Sequence, residues 1–154
     1  SCALPISPIQ RYLDEGIALA IGTDGPASNN CLDMFREMFL TTALAKVKEK
    51  DAACVPAEEV LYMATAAGAK CMGLDDCDQL AVGKKADLIM IDLMQPNMQP
   101  ENHLVKNIVY SGSKQNVAMT MVNGQILYEN GQFFIGFDPK EIYAKANAII
   151  GRMK

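Results

Sequence analysis

Histidine is almost missing from this chain: His103 is the only one in 154 residues. A metal centre or catalytic pair that needs two imidazoles therefore cannot come from these residues. His103 follows a polar stretch, residues 99–102, and reads as a surface residue. Long apolar runs are also missing. Nothing approaches the ~18 consecutive apolar residues of a membrane-spanning helix, and the chain opens without a basic region followed by an apolar one, so no secretory signal is visible. Charge of one sign is not concentrated anywhere. The net charge is −4 with the signs mixed, so there is no basic stripe to neutralise phosphates, and nucleic acid is not an expected partner. The five cysteines, Cys2, Cys31, Cys54, Cys71 and Cys77, include no C-x-x-C pair. An odd number without metal-type spacing reads as reduced, mostly buried thiols of a cytoplasmic protein. Internal repeats and low-complexity segments are absent.

What is present suits one ordinary domain or part of a larger one, with half the residues apolar. Ser1 in place of a methionine reads as a cut end. The character of the chain changes near residue 73. Before it, residues 8–16 read as a helix stopped by Gly16. Residues 17–21 are a short continuous apolar run, expected to form a strand buried on both faces, as in a parallel sheet. Residues 22–30 are a loop by composition. A long helix is expected over about residues 32–48. Leu32, Phe35, Phe39 and Ala43 form its apolar stripe, which Leu40, Leu44 and Val47 widen, and Asn29 or Asn30 caps it. Pro56 opens a further helix with Glu58 and Glu59 in its first turn, ended or bent at Gly68.

Beyond residue 73 the pattern is β-rich. Strands are expected over residues 86–92, 105–110, 116–122, 125–128 and 132–135. Asn123-Gly124 and Asn130-Gly131 are hairpin turns, because both positions tolerate positive φ. An amphipathic helix over about residues 139–153, capped by Asp138, closes the chain. The fold class is α/β, with expected divisions at 1–73, 74–137 and 138–154.

Asp24 is the residue with chemical potential. It follows directly on the apolar run, at the strand edge where α/β folds build their sites. Gly22 and Gly25 leave room for a ligand to approach. A carboxylate there can ligate a divalent cation or move a proton. The same Thr-Asp-Gly triplet also serves as a plain turn, and local pattern leaves both readings open.

A wider comparison of motifs narrows the choice. The stretch Gly22-Thr23-Asp24-Gly25-Pro26-Ala27-Ser28-Asn29-Asn30, followed by Leu32-Asp33-Met34-Phe35 and Glu37-Met38, resembles the last barrel strand and loop of the metal-dependent amidohydrolases. Within them it is most similar to the methylthioadenosine/S-adenosylhomocysteine deaminases and the triazine chlorohydrolases. Ala64-Thr65-Ala66-Ala67-Gly68-Ala69-Lys70, Gly83-Lys84-Lys85-Ala86-Asp87-Leu88-Ile89, Val109-Tyr110-Ser111-Gly112 and Val122-Asn123-Gly124 resemble later motifs of that group in the same order.

The resemblance implies the C-terminal part of a (β/α)8, TIM-like barrel over residues 1–73, then part of a small β-sandwich over 74–137 and a terminal helix. It implies hydrolytic deamination of a purine nucleoside, a C–N bond other than a peptide bond. The cofactor would be a divalent metal, zinc or iron, in the full-length protein and none in this chain alone. Asp24 would ligate the metal, take a proton from the attacking water and pass it to the leaving ammonia. Ser28, Asn29 and Asn30 would contact a small purine-type substrate, or simply cap the next helix.

The histidine ligands that the group supplies from a His-x-His pair and a further histidine have no counterpart here, and a catalytic zinc needs about three protein ligands. The chain reads as a C-terminal fragment, inactive by itself. A triazine or other heterocycle hydrolase is the alternative enzyme. A non-catalytic interaction module is the alternative outside enzymes, since an isolated barrel piece leaves sheet edges and apolar faces uncovered. No membrane association is expected, and a homo-oligomer is.

Overall fold

The computed structural model describes residues 6–153, so Ser1 and Cys2 lie outside the described residues. The first helix, α1 (Ile9–Asp14), is short. It stops where the composition says it should. Gly16 adopts φ +70, and the amides of Gly16 and Ile17 donate back to the carbonyls of Leu13 and Tyr12 at 3.0 and 2.9 Å. That is the paired bonding of a Schellman end, in which glycine avoids the Cβ penalty.

Residues 17–21 form no hydrogen-bonded strand among the described residues, contrary to expectation. Beyond the Ile17 bond to α1, the segment is anchored by the Ile21 amide, which donates to the Met63 carbonyl at 3.2 Å. Leu19 and Ile21 pack against the core. Open grooves of about 250 and 260 Å³ border the segment. A strand of a parallel sheet needs a ladder partner, and among the described residues none pairs with this segment.

The long helix α2 (Met34–Glu49) is capped by the Asp33 carboxylate, which accepts from the Phe35 amide at 3.1 Å. Asn29 and Asn30 are not its caps. Its buried face is Phe35, Met38, Thr42 and Ala45, one step round from the expected stripe. Phe39, Leu44 and Val47 are exposed, at 45%, 43% and 70%. A helix apolar on several sides does not reveal which face its neighbours will cover. The choice rests on Thr42, whose hydroxyl donates to the Val55 carbonyl at 2.7 Å and so enters the core satisfied.

Helix α3 (Ala57–Ala64) starts after Pro56, as expected, and buries Ala57, Val60 and Met63. The break comes at Thr65, at φ −126 and ψ −99, and α4 (Ala66–Cys71) follows. Gly68, the expected bend, lies inside α4. Residues 105–110, expected as a strand, belong instead to helix α5 (Leu104–Ser111). Val105, Ile108 and Val109 stand at helical spacing and all join the core. A short β-branched run is ambiguous by periodicity, and packing against α2 and α3 decides it.

Four strands, β1 (Leu88–Ile91), β2 (Val117–Val122), β3 (Gln125–Glu129) and β4 (Gln132–Phe133), form one antiparallel sheet in chain order. Asn123 and Gly124 have φ of 49 and 78, and Asn130 and Gly131 have 46 and 87. Both hairpins therefore turn as their Asn-Gly pairs require. β4 is shorter than the expected 132–135.

The closing helix α6 (Pro139–Gly151) is capped by Asp138, whose carboxylate accepts from the Lys140 amide at 2.9 Å, and it buries none of its residues. The whole is mixed helix and strand around a core of Phe35, Met38, Val55, Val60, Met63 and Val109. Among the described residues no helix is long and apolar enough to cross a membrane.

Candidate active site

Asp24 stands three residues beyond Ile21, the last anchored residue of the apolar segment. Its backbone is left-handed, at φ 58, a conformation that aspartate tolerates better than most residues. The side chain folds onto its own turn. One carboxylate oxygen accepts from the Gly25 amide and the other from the Ser28 hydroxyl, both at 2.7 Å. The amides of Ser28 and Asn29 donate to the Gly25 carbonyl at 3.1 and 2.9 Å, closing the loop on itself. The Ser28 hydroxyl first, and the Gly25 amide second, hold the Asp24 carboxyl below its ordinary value, against a small opposing effect of burial. Asp24 is therefore an anion throughout the neutral range.

Two accepted bonds use two of about four lone-pair sites on a carboxylate. Asp24 keeps the capacity to bind something more. It is exposed and faces an open cleft of about 390 Å³ lined also by Gly22, Thr23, Arg36, Glu37 and Leu40.

The three neighbours named from sequence divide. Ser28 is engaged with Asp24. Asn29 bridges loop and helix: its side-chain carbonyl accepts from the Cys31 amide at 2.9 Å, and its amide group donates to Glu37 at 2.7 Å. Asn30 is exposed, and no side-chain hydrogen bond holds it among the described residues. Glu37 and Arg36 were not singled out from sequence as site residues. Glu37 lies eight positions from its partner, across a loop, where no periodicity connects them.

Among the described residues no group of three or more His, Cys, Asp and Glu side chains is placed to hold an ion. His103 lies elsewhere, at the start of α5, with its Nε2 3.3 Å from Glu58. A single carboxylate such as Asp24 falls short of the about three protein ligands that a catalytic zinc needs.

Residues 5–127 match the sequence pattern of the Amidohydrolase family. The chain belongs to the amidohydrolase family. Among curated relatives, the 5-methylthioadenosine/S-adenosylhomocysteine deaminase of Dictyoglomus thermophilum is 42% identical over 124 residues, 80% of this chain and 29% of that protein. The enzyme of the same name from Desulfovibrio desulfuricans is 45% identical over 127 residues, 82% of this chain and 29% of that protein. Among solved structures, an adenosine deaminase from Xanthomonas campestris with bound zinc superposes with a TM-score of 0.89 at 34% identity, covering 94% of this chain and 33% of that one. An atrazine chlorohydrolase from Arthrobacter aurescens in complex with zinc gives 0.84 at 29% identity, covering 93% and 32%. The chain thus spans about a third of the length of the relatives it matches.

The amidohydrolase stretch Gly83 to Ile89 has a visible structural task. Lys84 and Lys85 pair with Asp78 and Asp76 at 2.7 and 3.0 Å. Asp87 accepts from the Asn123 amide, and the Gly124 amide donates to the Ala86 carbonyl at 3.0 Å. The motif therefore pins the first hairpin against the start of β1.

Proposed function

We propose that this chain is the C-terminal part of a hydrolase that deaminates a purine nucleoside of the methylthioadenosine/S-adenosylhomocysteine type, releasing ammonia. The observation that carries this reading is Asp24: a carboxylate held anionic by Ser28 and Gly25, with spare acceptor sites turned to an open cleft. The names of the curated relatives support the substrate class. In this reading residues 1–73 complete a barrel, residues 74–137 contribute to a small β-sandwich, and residues 138–154 form a terminal helix. Asp24 is one ligand of a divalent cation, zinc or iron, whose other ligands lie outside these residues. It is also the group assigned to accept a proton from the attacking water and return it to the departing amine. Of the three loop residues expected to contact substrate, Ser28 and Asn29 line the cleft beside Asp24, whereas Asn30 is exposed and is not among the lining residues.

The expected outcome is measurable. The full-length, metal-loaded protein should release ammonia from methylthioadenosine or S-adenosylhomocysteine. Asp24→Asn should lower kcat by about 10²- to 10⁴-fold, the usual worth of a positioned proton carrier. Ammonia release undiminished in that variant removes Asp24 from the reaction. No release from any purine nucleoside removes the deaminase reading. A triazine hydrolase is the second enzymatic reading, favoured by the superposition on the atrazine chlorohydrolase. Chloride release from a chlorotriazine would distinguish it. The non-catalytic alternative draws on the apolar residues left exposed on α2 and α6.

A further inference from the structure

The loop that carries Asp24 is braced against the helix behind it by the bond between Asn29 and Glu37. We propose that Glu37 is a positioning residue: through Asn29 it holds residues 24–31 so that the Asp24 carboxylate keeps its aim into the cleft. The inference rests on the reading of Asp24 given above.

Asn29 reaches α2 by its 2.7 Å bond to Glu37, and the Cys31 side chain lies beside Arg36 of the same helix. Its other end accepts from the Cys31 amide. One amide group thus fastens the far end of the loop both to itself and to the helix. The near end is closed by the Gly25 carbonyl, which receives the amides of Ser28 and Asn29, and by the Asp24 carboxylate, which receives the Gly25 amide and the Ser28 hydroxyl. Glu37 sits in the first turn of α2 behind the buried cap Asp33, whose carbonyl receives the Glu37 amide at 3.1 Å. Its backbone is therefore fixed by a capped helix end. The Asn29–Glu37 bond is partly buried, which shields it from competition by water. A loop aspartate held this way gains a rigid support from an element it does not touch, as a site on a loop requires.

The test compares Glu37→Leu, Glu37→Gln, Asn29→Ala and the double Glu37→Leu/Asn29→Ala in the full-length protein. Glu37→Gln keeps an oxygen that can accept from Asn29, whereas Glu37→Leu does not. Misplacing a reacting group by about 1 Å costs on the order of 100-fold. Glu37→Leu and Asn29→Ala should each lower kcat by about 10- to 100-fold with KM changed less than about 3-fold. The double variant should be no worse than either single one, because both break the same link. Glu37→Gln should stay near wild type. Hydrogen exchange of peptides covering residues 22–33, a readout that needs no activity, should quicken in the Leu and Ala variants and not in the Gln variant.

The inference is overturned if Glu37→Leu keeps kcat within about 2-fold, if the two losses multiply, if Asn29→Ala acts on KM rather than kcat, or if exchange is unchanged. If the wild-type protein releases no ammonia from any purine nucleoside, the deaminase reading falls by itself. The exchange comparison then decides the brace alone.

Discussion

Two carboxylates treat one thiol in opposite fashion to the way a reactive site would. Cys77 donates to Asp76 at 3.3 Å. Its thiol is pushed up to about 11, chiefly by Asp87, then by burial and by Asp76. Anions beside a thiol disfavour its thiolate, and the thiolate is the nucleophile. Cys77 is thus a hydrogen-bond donor beside the motif that pins the first hairpin, which it meets at Asp87. At pH 8 iodoacetamide should label the exposed Cys71 well before Cys77, as read by peptide mass spectrometry. Equal labelling rates would mean that the carboxylates do not hold the proton. At Asp24 the opposite holds: a hydroxyl and an amide stabilise the charged form.

At the scale of elements, contacts made at a distance decide more than propensity does. Gly112 ends α5, and a Cβ at that position would lie 2.5 Å from the Ile108 carbonyl oxygen and 2.8 Å from the Phe35 ring. The backbone carbonyl cannot step aside as a flexible side chain can. Gly112→Ala should therefore cost about 1–3 kcal/mol by overpacking, measured by urea denaturation. The segment around β1 responds to pH with a definite sign. Asp76, Asp78 and Asp87 are lowered, by Lys85, Lys84 and the Asn123 amide respectively as the leading causes. Lowered carboxyls contribute stability above the ordinary carboxylate range and lose it as pH falls through their folded values. Lys84 and Lys85 are raised, by Asp78 and Asp76. Their contribution is complete below the ordinary lysine range and fades as pH rises through the folded values. The segment is therefore expected to hold best between those limits. In an NMR titration the Asn123 amide, which reports on Asp87, should move with a midpoint below 3.8. A midpoint at or above that value would contradict the hydrogen bond.

For the molecule as a whole, apolar surface is left uncovered. Phe39, Leu44 and Val47 on α2, and Ile142, Ile149 and Ile150 on α6, are all exposed. Patches of this kind seek a partner, and a net charge of −4 offers little repulsion to prevent it. The isolated chain is expected to associate with itself in light scattering and to bind no stoichiometric zinc in metal analysis. A monodisperse monomer would remove the first expectation, and one tightly bound zinc per chain the second.

The Gly16 stop, both Asn-Gly turns, the start at Pro56 and the Asp138 cap are all legible in the residues, because each depends on the φ preference or side-chain reach of a few neighbours. The Asp24 loop belongs to the same class: its glycines and short polar residues announce a tight turn beside an apolar segment. Other features are not legible in this way. Asp33 rather than Asn29 caps α2 because the helix starts at Met34, later than expected, and this puts Asp33 at the cap position. The buried face of α2 follows Thr42 and its bond to Val55. Residues 104–111 coil into a helix to meet a core built by α2 and α3. Residues 17–21, apolar enough for a buried strand, stay unpaired because a ladder takes two segments. Local physics is written in consecutive residues, whereas burial and pairing belong to residues brought together from far apart, and those become known only once the chain is folded.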